Sequence, residues 1–217
     1  MISHLAAIEA LRTRLLTLSV CTTGSVTLSA TATGYARTTG SFLSDGFAAG
    51  MEITPTGFTA NTVATVTGVT ALTLTTAARA VETAAAGRTL ACLLPVGRAW
   101  ENAAFTPTTG APWIEEDYLP GPAQQIPLGQ YGDVETLPQY VVKVYAAPGT
   151  GLGALHRYGD AILNLFPPRQ TLTLSTGDVL RVRINPAPYR GQLVQDTAGF
   201  AVTVVTIPCA VRSANTI

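Results

Sequence analysis

The sequence predicts an α+β protein in which short strands outnumber helices and one region forms a small all-β module. Three observations predict this: two amphipathic segments at helical spacing, β-branched runs such as Gln139–Ala146, and a Thr-rich stretch whose composition differs from its flanks. Apolar residues make up 47% of the chain, yet no apolar run approaches the roughly 20 residues that span a bilayer. We therefore expect a folded protein with no membrane segment and no export signal.

The first amphipathic segment predicts a helix at the start of the chain. Ser3 is a favourable N-cap, and apolar residues follow it at three- and four-residue spacing: Leu5, Ile8, Leu11, Leu15 and Leu18. A stripe of this kind is typical of a core helix, which needs a sheet or a second helix to cover it.

Residues 19–93 are dominated by threonine, alanine, glycine and valine and carry few charges. Alternating runs predict strands at 25–32, 51–54, 62–66, 72–76 and 89–93, and the Ala-rich residues 77–86 favour a helical turn. Short strands at this density predict a small β-barrel or sandwich, inserted between 1–18 and 94–217, which we interpret as one discontinuous core domain.

Thr-rich β-segments also occur in glycan-binding adhesins, which is an alternative interpretation of the inserted region. Sugar binding requires exposed aromatic rings, and the candidates are Tyr35, Phe42, Phe47 and Phe58. Phe42 and Phe47 flank the turn residues Ser44-Asp45-Gly46, so we interpret them as turn and core residues.

The rest of the chain returns to ordinary mixed composition. Residues 97–120 predict two strands joined by a loop, and residues 121–136 read as a loop that a partner orders. The strand Gln139–Ala146 leads into a glycine-rich turn, and a helix at 154–166 and a strand at 179–184 follow. Residues 199–208 predict a closing strand, followed by a polar tail.

Motifs that would support catalysis are weak. The turn Gly149-Thr150-Gly151-Leu152-Gly153 lacks the lysine of a phosphate-binding Walker loop and the spacing of a dinucleotide site. His4 and His156, the two histidines, have no metal-site spacing. Adjacent residues of a strand point to opposite faces, so the cluster Glu115-Glu116-Asp117 is better interpreted as a solvated or interfacial patch than as an acid–base pair. We predict a protein that is not an enzyme and has no cofactor or metal.

Charge and cysteine content limit the partners further. Thirteen basic and thirteen acidic residues balance, which disfavours tight nucleic-acid binding. Lys143 is the sole lysine, and an arginine bias is typical of assembly interfaces or of a GC-rich genome. The three cysteines predict free thiols, but Cys21 and Cys92 flank the inserted region and would be near neighbours if its two ends meet.

The order of several motifs resembles the tail terminator, or tail completion, proteins of long-tailed bacteriophages. The motifs are Ala99-Trp100-Glu101-Asn102, Phe105-Thr106-Pro107, Gly110, Pro112-Trp113-Ile114, Val144-Tyr145-Ala146, Pro148-Gly149, Gly151, Gly153, Asp160-Ala161-Ile162, Phe166-Pro167, 177–186 and 199–208. In that family the first helix is followed almost directly by the Trp-Glu-Asn strand. Residues 19–93 depart from this pattern, and the resemblance assigns them no role.

The resemblance implies a mainly antiparallel sheet with helices packed on one face, in a protein that forms a hexameric ring in the virion. Such a ring, assembled in the host cytoplasm, caps the tail tube, ends its polymerisation, joins the head or neck and lets DNA pass without specific binding. For the subunit or tube interface our hypothesis pairs three arginines with three acids: Arg157, Arg181 and Arg183 with Glu115, Glu116 and Asp117. The alternatives are another neck or tail-tube protein and, in a different class, the glycan-binding adhesin.

Overall fold

The computed structural model describes residues 3–100, 103–126, 133–146, 149–195 and 199–213. Within these ranges the protein is mostly β, with two helices and two open sheets. All described strand pairs are antiparallel except that of β9 (Gly97–Ala99) with β10 (Trp113–Leu119), which is parallel. The structure is therefore a β-rich protein with two helices, which agrees with the predicted α+β class in part.

The two helices begin close to where the sequence places them. Helix α1 (His4–Leu15) starts at the predicted cap, where the Ser3 hydroxyl oxygen accepts a hydrogen bond from the Ala6 amide at 3.2 Å. Its buried stripe includes Leu11 and Leu15, whereas Leu5 is 64% exposed. Helix α2 (Gly153–Leu165) lies against strands β13 (Gln139–Ala146) and β18 (Ala201–Ser213), and α1 contacts α2 and strand β14 (Thr171–Thr173).

Residues 19–93 form the first sheet, whose order is β5-β4-β8-β2-β3-β7-β6, with β1 also paired to β8. The strands are β1 (Ser19–Thr22), β2 (Val26–Thr31), β3 (Gly34–Arg37), β4 (Glu52–Thr56), β5 (Ala64–Thr65), β6 (Gly68–Val69), β7 (Thr73–Thr75) and β8 (Glu82–Leu93). Phe42 and Phe47 are 0% and 3% exposed, which confirms their interpretation as core residues.

The helical turn predicted at 77–86 is wrong, because β8 begins at Glu82. Alanine favours helices in isolation, but here the strand pairs antiparallel with β2 along 82–88 and with β1 and β4 beyond it. Strand preference depends mostly on such neighbours, so tertiary pairing overrides the local propensity.

A single chain segment bridges the two edges of the first sheet. Strands β5 and β6 are the edge strands and follow one another in the chain. Between them, the Val66 amide donates to the Met51 carbonyl and the Thr67 amide donates to the Thr75 carbonyl, both at 2.8 Å. The described ladder is open, but residues 64–69 contact both of its ends.

The second sheet runs β11-β12-β18-β13-β10-β9, with β15, β16 and β17 also paired to β18 and β14 paired to β15. Its strands are β9 (Gly97–Ala99), β10 (Trp113–Leu119), β11 (Ala123–Gln125), β12 (Val134–Thr136), β13 (Gln139–Ala146), β14 (Thr171–Thr173), β15 (Val179–Val182), β16 (Tyr189–Arg190), β17 (Val194–Gln195) and β18 (Ala201–Ser213). The central strand β18 extends beyond the predicted 199–208 because β12 and β15 pair with its C-terminal residues, 209–213.

The loop predicted at 121–136 contains two strands instead. Strand β12 pairs with β18 near the end of the described chain, and β11 pairs with β12. Such long-range pairing leaves little trace in a short polar stretch. Residues 127–132 of this loop lie outside the described residues.

Both sheets share one hydrophobic core. Tyr158 of α2, 1% exposed, reaches the first sheet, where its hydroxyl oxygen accepts hydrogen bonds from the Glu52 amide and the Cys92 thiol, each at 3.3 Å. The Val96 amide, between the sheets, donates to Glu52 Oε1 at 2.8 Å. No helix among the described residues is long and apolar enough to span a membrane.

Candidate functional site

The second sheet has a face that contacts α2 and an opposite face, which we call the open face. A Cβ built on Gly159 of α2 would lie 3.5 Å from Thr203 Oγ1, so Thr203 points towards the helix. Side chains alternate along a strand, so Val205 and Ile207 share that face and are fully buried. The strand pairing places five charged residues on the opposite side from Val205 and Ile207. The open face therefore carries Glu115, Asp117, Lys143, Arg181 and Arg212.

A compact charged cluster occupies one part of the open face. Lys143 Nζ lies 2.8 Å from Glu115 Oε1 and 2.7 Å from Asp117 Oδ2, and the Tyr145 hydroxyl donates to Glu115 Oε2 at 2.7 Å. Burial raises the pKa of Glu115, but hydrogen bonds from Lys143 and Tyr145 outweigh it and leave the pKa lowered. Burial lowers the pKa of Lys143, but the two carboxylates outweigh it and leave that pKa raised. Both shifts favour the charged forms, the Glu115 carboxylate and the Lys143 ammonium, at neutral pH.

Glu116, between these two acids in the chain, points to the other face and is 1% exposed. The Tyr140 hydroxyl donates to Glu116 Oε2 at 2.5 Å, and Arg12 Nε of α1 lies 3.5 Å from the same oxygen. Burial and the Glu116 charge raise the pKa of Tyr140 well above its ordinary value, so it remains a donor. The structure thus splits the predicted acidic cluster: Glu115 and Asp117 lie on the open face, and the chain itself encloses Glu116.

Arg181 lies at another part of the open face, on β15. Its neighbour across the strand pair is Ala210, and Arg212 Nε forms an ion pair with Glu135 Oε1 at 2.9 Å. These residues line a recess of about 90 Å³ together with Val179. The Arg181 side chain is exposed. Arg181 therefore offers a charge at the surface, on the same face as the cluster around Lys143.

The remaining two candidate arginines lie elsewhere. Arg183 follows the end of β15 and is half-buried. Arg157 is exposed on α2, and its guanidinium lies 3.3 Å from where a Cβ of Gly46 would stand, so it borders the first sheet. The structure brings Glu115, Asp117 and Arg181 onto one face but does not bring Arg157 to it.

Sequence reasoning did not select Lys143 or the aromatic residues beside it. Trp113 stacks on Tyr145 with ring centroids 3.6 Å apart and planes 5° apart, and Phe105 and Phe200 contact the Trp113 ring. Alternation places Lys143 and Tyr145 on one face of β13, which is a usable signal. Their pairing with Glu115 and Trp113 required the β10–β13 register.

The glycine-rich turn before α2 packs against the first sheet. Gly149 and Gly151 have φ of 80° and 75°, which an L-residue rarely adopts. A Cβ on Gly50 would stand 2.8 Å from Thr150 Oγ1, so this turn closely approaches residue 50. These contacts agree with the interpretation of the segment as a strand-to-helix turn. Within the described ranges, no three His, Cys, Asp or Glu side chains cluster in a way that could hold a metal ion.

Comparison with protein families identifies the chain. The family model described as phage tail terminator protein matches residues 76–212, more than half of the 217 residues. The chain belongs to the phage tail terminator family. This confirms the resemblance predicted from the motifs, of which Glu101, Asn102 and Pro148 lie outside the described residues.

The other comparisons add little. No curated protein matches the chain. One solved structure aligns at 20% identity and a TM-score of 0.43, over 57% of this chain and 83% of the solved chain. Family membership alone therefore assigns a structural role in a phage tail.

The tail terminator match includes part of the first sheet. It begins at residue 76, before β8, and ends within β18. Helix α1 and strands β1–β7 precede it. The open face of this tail terminator, with Lys143 and Arg181, lies inside the matched region.

Proposed function

We propose that this tail terminator forms a ring, with a hexamer as the expected size, that caps the tail tube, ends its polymerisation and joins the tail to the head or neck. The family match carries this proposal. A ring requires heterologous contacts, in which one surface of a subunit meets a different surface of the next. Each subunit must then present two unlike patches.

The open face supplies two such patches. The first is the cluster around Lys143, which carries two carboxylates against one ammonium and so has an excess negative charge. The second is the exposed Arg181, with Arg183 following in the chain. We infer that the arginines of one subunit meet the Glu115 and Asp117 carboxylates of the next, with Arg157 as a further contact near the first sheet.

The lumen of the ring must let DNA pass. A strongly basic surface would retain the phosphate backbone, whereas this chain has a formal net charge of +0. We therefore propose that DNA passes without specific binding. The expected protein partners are the tail tube protein and a head-completion or neck protein, in a virion assembled in the host cytoplasm.

The domain organisation is part of the proposal. We infer that residues 1–18 and 94–217 form the core, with both helices on one face of the second sheet, since Arg12 reaches Glu116 and Gly159 approaches Thr203. Residues 19–93 would then be an inserted module. The bridging of its two edges by residues 64–69 supports a barrel-like closure.

Charge reversal tests the ring. Arg181→Glu combined with Arg183→Glu should convert rings to monomers in native mass spectrometry, and adding Asp117→Arg should restore part of the ring population. Arg169→Glu, an exposed change of the same sign in the turn after α2, is the matched control and should leave rings intact. Negative-stain microscopy of the wild type should show closed rings. Monomers at high concentration would refute ring formation, and long tubes would indicate a tail-tube protein.

A further inference from the structure

Two of the three cysteines lie opposite one another on neighbouring strands of the first sheet. Cys21 of β1 and Cys92 of β8 are direct register partners of an antiparallel pair. Residues so opposed have Cα atoms roughly 4.5–5.5 Å apart, within the range of about 4.4–6.8 Å that a disulfide bridges. The backbone therefore already has the spacing that a cross-link requires.

The surroundings of Cys92 keep it as a thiol under reducing conditions. A hydrogen bond with Cys21, together with burial, raises the pKa of Cys92 well above its ordinary value. Cys92 is 0% exposed and donates to the Tyr158 hydroxyl, whereas Cys21 is 8% exposed, with its sulfur 4.0 Å from Met51 Sδ. Cys21 is thus the more accessible residue of the two, and we take its sulfur as the one that a small oxidant reaches first.

We propose that Cys21 and Cys92 form a disulfide when the folded protein meets a peroxide-class oxidant. The Cys21 sulfur attacks one oxygen of hydrogen peroxide, the O–O bond breaks, and protonation of the departing oxygen releases water and leaves a sulfenic acid. The Cys92 sulfur then attacks the Cys21 sulfur, expels the hydroxyl as a second water and gives up its proton. Two electrons leave the sulfurs and reduce the peroxide to two waters.

The cross-link would close the chain from residue 21 to residue 92, which includes nearly all of the first sheet. Closing a long loop restricts the unfolded chain and stabilises the fold. Cytosolic thiols stay reduced, whereas a virion leaves the reducing cytosol when it leaves the host. Stabilisation of the released virion by this cross-link depends on the location implied by the tail family, but formation of the disulfide itself does not.

Cys209 provides an internal control. It is also 0% exposed, but it lies in the second sheet opposite Val182, with no cysteine beside it. Burial raises its pKa to about 12. Cys209→Ala leaves the proposed pair intact and removes the only other thiol of the chain.

The test treats folded wild type and Cys209→Ala with hydrogen peroxide, then measures intact mass and maps non-reduced peptides. The expected result is the loss of two hydrogen atoms, a peptide joining Cys21 to Cys92, reversal by dithiothreitol, and a melting temperature higher by on the order of 10 °C. Cys21→Ala should show neither the peptide nor the shift. Sulfinic or sulfonic acid at either residue, or a cross-link that forms only after unfolding, would overturn the proposal. The peptide map of the wild type decides even if Cys21→Ala does not fold.

Discussion

The Tyr140 hydroxyl donates a hydrogen bond to the Glu116 carboxylate across two neighbouring strands in the interior. The sequence predicted a solvated or interfacial patch at 115–117, and Glu116 departs most from this prediction. Its neighbours 115 and 117 are half-buried, whereas Glu116 is fully buried. A buried carboxylate is tolerated only when it is neutralised or hydrogen-bonded. Tyr140 and Arg12 together provide that compensation.

Removing this hydroxyl should destabilise the protein. Tyr140→Phe leaves the Glu116 carboxylate with Arg12 as its remaining described partner, and loss of a hydrogen bond to a charged group costs about 1.5–3 kcal/mol. Urea unfolding followed by circular dichroism measures the change. Tyr189→Phe, at a ring that is 50% exposed, is the control and should change stability by less than about 0.5 kcal/mol. Equal losses in both variants would show that the Glu116 contact contributes nothing.

The titration of Glu52 should increase the free energy of unfolding as pH falls. Burial raises its pKa, and the hydrogen bond from the Val96 amide offsets only part of this. Because the folded pKa lies above the unfolded one, the folded state binds the proton more tightly, and its full contribution appears below the unfolded value of about 4.3. Glu52→Gln keeps an acceptor oxygen for Val96, so we expect a higher melting temperature at pH 7 than for wild type. That gain should disappear near pH 4, and a gain independent of pH would contradict this assignment.

Glu115 should have the opposite dependence. Its folded pKa is lowered because the hydrogen bonds from Lys143 and Tyr145 outweigh burial, so its contribution is present above the unfolded value and is lost as pH falls through the folded one. Glu115→Gln should lower the melting temperature at pH 7 and match wild type under strongly acidic conditions. The pair is partly exposed, so 1 M salt should reduce the difference. A salt-independent effect would point to packing instead of charge.

Gly34 allows close approach of two strands. A Cβ at this position would lie 1.8 Å from the Leu74 carbonyl oxygen, so Gly34→Ala forces β3 away from β7 and should cost about 3 kcal/mol. Gly24 also has a positive φ, but a Cβ there meets no atom within 4 Å. Gly24→Ala is the matched control, with an expected cost of about 1 kcal/mol from backbone strain alone. Chemical denaturation of both variants distinguishes the steric cost from the conformational one.

The order of the main elements in the second half of the chain follows from local pattern. The strand Gln139–Ala146 and the helix after it occur where alternation and helical spacing place them. The Ser3 cap likewise starts α1 as predicted. These features depend on residues near one another in the chain, so the sequence alone reveals them.

Other features were hidden from local pattern because they depend on distant partners. Strand β8 replaces the predicted helical turn because it pairs with β2, and β12 forms because β18 reaches it. The separation of Glu116 from Glu115 follows from alternation, but which of them is buried depends on where Tyr140 and α1 lie.

The sequence by itself determined the tail family, the two helices, the main strands and the neutral charge, since composition, spacing and motif order carry these properties. The tertiary structure alone decided that Lys143 pairs with Glu115 and Asp117, that Glu116 is buried, and that Cys21 faces Cys92. Each of these is a contact between segments far apart in the chain. Strand register sets such contacts, and register depends on the packing of the whole sheet.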